Sequence, residues 1–245
     1  MNNFLEIELK LQGKKKNIYF GIPNNDDELD EMYRLRHKIY LDHDYIDDNK
    51  SGLEKDEYDD GRSTYFVAKI ENRIIGSVRL IKDKYLPTEK ECFNFQEPPE
   101  ISKIPRNNRA ELGRLIIDKY EKDVFLPRHL VLLGLLLVVT KYSKDNNFRG
   151  GYSFIKNTLK LKLKKLRFPF HFIDNFTQIY KRKTLKKYFE NKNDKVWPIY
   201  YTIQEVSDYL ENIFKNRFVF KKVSENRFVF KNRFVFKVLI FLNAL

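Results

Sequence analysis

Three carboxylates, Glu54, Asp56 and Asp59, crowd the start of the stretch EKDEYDDGRSTYFVAKIENRIIGSVRL, directly ahead of what reads as a β-hairpin whose second strand carries Arg79. Acidic side chains at this density usually face water. Grouped beside a strand edge with arginines that keep them ionised, they suit holding a cationic group and taking a proton from it. The same grouping also suits an ion-pair lattice that ties the polar loop 42–63 to a sheet. The residues such a lattice would recruit are Arg36, Arg79, Arg114 and the further carboxylate Glu111.

The elements that must carry these residues follow from periodicity. FLEIELKL at 4–11 alternates and NIYFGI at 17–22 is a second apolar run ending at Pro23, so two strands open the chain. Asn24 or Asn25 caps a helix with the acidic first turn DDELDE, and Leu29, Met32, Leu35, Ile39 and Tyr40 share one of its faces. TYFVAKI and IIGSVRLI, joined by ENR, form the hairpin. A proline-rich loop over 86–105 leads to the strand RAELGRLIID. From Pro127, RHLVLLGLLLVVTKYSKDN is too long and too leucine-rich for a strand and predicts a core helix. GGYSFIK reads as a strand and FPFHFI as the last one. Between them NTLKLKLKKL alternates Leu and Lys, yet a helix capped by Asn157 or Thr158 is expected, because three strands without turn residues would be crowded. The fold class is α/β (α+β), a mixed sheet with helices on its faces.

Composition narrows the function classes. The chain has 245 residues, 42% of them hydrophobic, enough for a substantial core. The lone cysteine, Cys92, has no partner for an internal disulfide, and the first residues lack a charged segment followed by an apolar one, so a cytoplasmic protein is expected. The longest apolar run, LVLLGLLLVV, is about half of what a bilayer requires. His37, His43, His129 and His171 show no ligand spacing with one another or with Cys92, so no metal site is expected, and phosphate-cradle and serine-nucleophile motifs are absent. The net charge of +13 is uneven, with 13 basic against 3 acidic residues over 156–195. That basic part suits an acidic partner protein, a nucleic acid or an anionic membrane, or is a solvated face. Aromatic and basic residues interleave in FPFHFIDNFTQIYKRK as a base-stacking surface would, but a nucleic-acid reader has no use for the matched carboxylates, so nucleic acid is not the expected partner. NRFVFK occurs three times, at 216–221, 226–231 and 232–237, and reads as a duplicated, dispensable extension with weak membrane contact as the sharper option.

The succession LRHKIYLDHDYI, EKDEYDD, IIGSVRLI and AELGRLIID resembles the acyl-homoserine-lactone synthases. The matching positions are Arg36, the trio Glu54, Asp56 and Asp59, then Arg79, Glu111 and Arg114. The later stretch from Pro127 to Ile173 is similar to PEP-CTERM/exosortase-associated acyltransferases and N-acyl amino acid synthases. Both groups belong to the GNAT superfamily, and the resemblance covers about residues 17–180. It implies a mostly antiparallel central sheet flanked by helices over 1–200, with 201–245 a C-terminal helix and the repeat extension. It also implies an N-acyltransferase that moves a fatty acyl group from an acyl carrier protein or coenzyme A thioester to the amine of a small amino-acid-like acceptor. An acyl-homoserine-lactone synthase and a catalytically silent basic protein are the alternatives. By the same resemblance Glu111 is the base, the backbone N–H groups of Leu115 and Ile116 polarise the thioester, and the pantetheine arm enters where the ELGRLII and GYSFI strands part. Lys162, Lys164 and Lys165, with Lys160 and Arg167, would stand near that entrance and favour a carrier protein. Two departures count against the lactone: Gly113 stands where the family has Ser, and IKDKYLPTE replaces the family's Pro-Thr-Thr run.

Overall fold

The computed structural model describes residues 1–11, 14–118, 128–216, 220–224 and 227–230. The third NRFVFK copy, at 232–237, lies outside the described residues, as does the start of the extension after residue 216.

The chain opens with a long hairpin, β1 (Asn2–Leu11) and β2 (Lys14–Ile22), followed by helix α1 (Asp26–Asp42). As expected, Asn25 caps α1 by accepting the Glu28 N–H at 2.9 Å. The hairpin β3 (Ser63–Ile70) and β4 (Arg73–Ile81) turns through Glu71 and Asn72, both at positive φ, which matches the right-handed twist of the strands it joins. The short pieces β5 (Phe93–Phe95) and α2 (Pro99–Ser102) precede β6 (Arg109–Ile117), and helix α3 (Arg128–Asp145) crosses back to β7 (Gly150–Lys156). Then come α4 (Asn157–Lys165), β8 (His171–Phe172), β9 (Phe176–Gln178), α5 (Lys186–Glu190), β10 (Val196–Thr202), α6 (Ile203–Asn216), β11 (Phe220–Ser224) and β12 (Arg227–Phe230).

Among the described residues one ten-stranded sheet runs in the order β11-β12-β1-β2-β3-β4-β6-β7-β10-β8. It is mostly antiparallel, as expected; the parallel pairs are β6 with β7 and β1 with β12. Helix α1 covers one face through Met32, Tyr33 and Tyr40, and α3 covers the other through Leu130, Leu135 and Leu136. Helix α6 packs on α3 with Val206, Leu210 and Phe214 buried, so the first part of the C-terminal region shares the main core. The leucine-rich helix is therefore wrapped by sheet and helix, and no helix of the described residues is long and apolar enough to cross a membrane. Helix α4 also forms, but not with the expected cap: Lys156 is the N-cap, and Asp194 from before β10 takes the Thr158 N–H at 2.9 Å. The final strand is not FPFHFI. Only His171 and Phe172 pair, and VWPIYYT supplies β10 between them and β7; Pro198 in its middle hides it from a sequence reading.

Two local features shape the centre. Strands β6 and β7 pair only from Arg109 to Glu111 against Gly150 to Tyr152, then part company. Gly151 permits the close start, since a Cβ there would overlap the carbonyl of Ala110. On the other edge of β6, Ser77 pairs with Ile116 and Arg79 with Gly113, so Val78 alone opposes Arg114 and Leu115. This is a β-bulge, and Arg114 takes the left-handed conformation (φ 53°) to make it.

Candidate active site

Arg79 of β4 and Glu111 and Arg114 of β6 reach the α1 face of the sheet, where Arg36 of α1 and the loop carrying Glu54, Asp56 and Asp59 meet them. The six charges other than Glu111 form a closed, alternating ring. Arg36 Nε donates to Glu54 at 2.7 Å, and Glu54 lies 3.0 Å from Arg114. Arg114 donates to Asp56 at 2.6 Å, and Asp56 takes a bidentate pair from Arg79 at 2.7 and 2.9 Å. Arg79 donates to Asp59 at 2.9 Å, and Arg36 stands 3.6 Å from Asp59 to complete the circuit. Each arginine serves two carboxylates and each carboxylate two arginines. All six side chains are at most 8% exposed, so the charges are balanced where water does not reach. Burial pushes the Asp56 carboxyl up, but Arg114 and Arg79 more than reverse this and hold it well below the usual carboxylate range. Tyr65 adds its hydroxyl to Asp59, and Tyr33 donates to Tyr65 at 3.1 Å. The trio named from sequence is thus fully engaged by arginines, and the lattice pins the loop 42–63 to the sheet.

Glu111 stands outside the ring. It is 2% exposed and accepts the Thr88 N–H at 2.7 Å. Burial raises its pKa to about 8, against the lowering pull of Thr88 and Arg79. A carboxyl with its pKa raised this far is mostly protonated at neutral pH.

Two cavities meet at the bulge. The larger, of about 360 Å³, threads the parting of β6 and β7. One end is apolar, walled by Val78, Leu112, Leu132, Leu136 and Leu163; the other is aromatic, walled by Tyr40, His43, Tyr45 and Tyr188. The smaller chamber, of about 40 Å³, lies on the ring side against Asp56, Arg79 and Glu111. Gly113 and Arg114 line both, and a Cβ at Gly113 would meet nothing within 4 Å. An apolar cavity and a charged chamber therefore share one backbone bend as a wall.

The other residues expected from sequence divide. Leu115 lines the larger cavity, whereas Ile116 is back in the β4 ladder and buried at 3% exposure. Lys162 lines the larger cavity, and Lys164 and Lys165 are exposed on α4. Lys160 is not on the surface: it is buried with its Nζ 2.9 Å from the centre of the Trp197 ring. Sequence reasoning missed Thr88, the aromatic wall, and a cluster of Glu57, Glu91 and Arg182 at the small chamber. Glu57 sits inside the acidic motif and could have been noticed; Arg182 was hidden in the basic run KRK.

Comparison with known proteins agrees with this geometry. The family model described as autoinducer synthase matches residues 23–198. The acyl-homoserine-lactone synthase of Serratia liquefaciens is 28% identical over 145 residues, spanning 58% of this chain and 71% of that protein. The one from Pectobacterium carotovorum subsp. carotovorum is 30% identical over 137 residues, spanning 55% of this chain and 62% of that protein. Among solved structures, the AHL synthase LasI superposes with a TM-score of 0.57 at 14% identity, covering 80% of this chain and 95% of LasI. The CoA-dependent acyl-homoserine lactone synthase BjaI, solved with SAM and isopentyl-CoA, gives 0.55 at 18% identity, covering 76% and 82%. At these identities the likeness is one of fold.

Proposed function

The chain belongs to the autoinducer synthase family, whose members are acyltransferases, and on that premise we propose that it joins a fatty acyl group to the α-amine of S-adenosylmethionine and releases an acyl-homoserine lactone. The observation that carries this reading is the junction at Gly113 and Arg114, which wall both the apolar channel and the chamber holding Glu111. The acyl chain lies along Leu112, Leu132 and Leu136, and its thioester carbonyl rests at the bulge, where the backbone N–H of Leu115 polarises it, while the expected second donor Ile116 has returned to the β4 ladder.

Glu111 is the base. The incoming ammonium lowers the Glu111 pKa, the carboxylate takes one proton, and the amine attacks the carbonyl carbon. The tetrahedral intermediate collapses by expelling the pantetheine sulfur, which takes the amine's second proton and leaves as the free thiol, and the amide forms. The acceptor's own carboxylate then displaces the thioether from its γ-carbon, which closes the lactone and frees methylthioadenosine. Arg36, Arg79 and Arg114 hold Glu54, Asp56 and Asp59 in a neutral ring, so their part is to shape the chamber beside Glu111. Lys162 lines the channel and Lys164 and Lys165 are exposed on the same helix, and together their charge favours the acidic surface of an acyl carrier protein over coenzyme A.

A second reading, transfer to an ordinary amino acid without lactone closure, is supported by Gly113, which leaves open space where the lactone synthases carry Ser. The family relatives weigh toward the lactone. Mass spectrometry of extracts from a bacterium overproducing the protein separates the two: acyl-homoserine lactones are expected, N-acyl amino acids would establish the second reading, and no new lipid would overturn both.

A further inference from the structure

Outside the arginine ring, the small chamber has two more carboxylates at its mouth, Glu57 and Glu91. Arg182 bridges them, pairing with Glu57 and standing 2.8 Å from Glu91. Glu91 also takes the Tyr58 hydroxyl at 2.5 Å, and Lys90 stands farther off at 3.8 Å. The Arg182 side chain is 43% exposed and that of Glu57 39%. Its backbone, by contrast, is anchored: Ile179 donates to the Cys92 carbonyl at 2.9 Å, Leu185 donates to the Tyr180 hydroxyl at 3.1 Å, and the Tyr180 ring stacks on Phe189 at 4.2 Å. The guanidinium can swing out without the segment unfolding.

With Arg182 in place the chamber has about 40 Å³, and Arg182 is part of its wall, so moving that guanidinium out enlarges it. The inner wall asks for charge as well. Arg79 and Arg114 line the chamber with side chains 4% and 6% exposed, and the Nε–H of each has no partner among the described residues. Buried donors deep inside and carboxylates at the mouth match a ligand with an anionic group and a second, fixed positive charge.

We propose that Glu57 and Glu91 form a subsite for the distal cation of the acceptor, and that Arg182 is a resident counter-ion which that cation displaces. The subsite rests on the acceptor assignment above, in which the α-ammonium goes to Glu111 and the sulfonium is the distal charge. An uncharged thioether cannot replace a guanidinium between two carboxylates, so the exchange selects the sulfonium form.

The test is calorimetric titration of the full chain, without acyl donor and at low salt, with S-adenosylmethionine and with its neutral thioether analogue S-adenosylhomocysteine. Charge-assisted contacts at a half-exposed site predict about a tenfold preference for the sulfonium. Glu57→Gln should bring the two ligands within about threefold of each other, and Arg182→Ala, which removes the competitor, should tighten the sulfonium about tenfold while moving the thioether less than about twofold. A preference unchanged in Glu57→Gln, or sulfonium binding weakened by Arg182→Ala, overturns the subsite alone. If the wild type binds neither nucleoside, the acceptor assignment and the subsite fall together.

Discussion

Glu111 receives the main-chain N–H of Thr88 at 2.7 Å and pairs with no arginine among the described residues, although a ring of three lies beside it. That isolation sets its chemistry. Its pKa is raised to about 8 by burial, so the folded protein holds a proton that the unfolded chain releases near the ordinary value of 4.5. Stability should therefore fall as pH rises from about 4.5 to about 8 and level off above, because over that window the native state binds more protons. In Glu111→Gln this slope should vanish from thermal melts taken across the window, while kcat drops about a hundredfold to ten-thousandfold. A mutant with the wild-type slope would place the titrating group elsewhere.

The ring predicts a different outcome for its members. Truncating Arg79 leaves Asp56 and Asp59 buried with an uncompensated charge, so Arg79→Ala should lose about 3–5 kcal/mol in urea unfolding. Arg79→Lys should recover only part of this, since an ammonium cannot supply the bidentate fork that Asp56 receives. Full stability in Arg79→Ala would show that the ring is dispensable to the fold.

A longer-range role is predicted for Lys162, Lys164 and Lys165. An acyl carrier protein donor should give a higher kcat/KM than the matching acyl-coenzyme A, and the advantage should shrink from low to physiological salt as the charges are screened. Replacing the three by Ala should raise KM for the carrier-bound donor and leave the coenzyme A reaction nearly unchanged. Equal losses with both donors would assign the lysines to the shared pantetheine phosphate or to the fold.

The C-terminal region divides at the end of α6. Removing residues 217–245 is expected to leave acyl transfer near the wild-type rate, because the described part of that segment, β11 and β12, lines neither cavity. Removing 203–216 as well should abolish folding, since Val206, Leu210 and Phe214 are buried against the core. Circular dichroism and turnover on the two truncations read this out, and a large loss of activity in the shorter deletion would make the repeats part of the catalytic unit.

Much of this was legible in the sequence because motif residues and local periodicity survive without tertiary context. Arg36, Glu54, Asp56, Asp59, Arg79, Glu111 and Arg114 all reach one site, and the hairpin, α1 and α3 stand where periodicity and capping put them, whereas α4 forms against its own period-two alternation and with Lys156 as its cap. What could not be read depends on distant contacts. The ring closes only when the loop 42–63 folds over the sheet, so the sequence left open whether the trio was free to hold an amine. Lys160 looked like its neighbours until Trp197 of β10 covered it, and β10 was hidden by Pro198. Arg182 finds Glu57 across about half the chain and Glu91 across more than a third of it, a pairing that no spacing rule announces.

The measurement that bears most directly on the account is the product analysis of purified protein given S-adenosylmethionine and a medium-chain acyl carrier protein thioester, followed by liquid chromatography and mass spectrometry. Acyl-homoserine lactone and methylthioadenosine should appear in equal amounts, one of each per free carrier thiol released, and Glu111→Gln should slow all three together. Release of carrier thiol without the lactone, or an acylated product that still contains the adenosine, would contradict it.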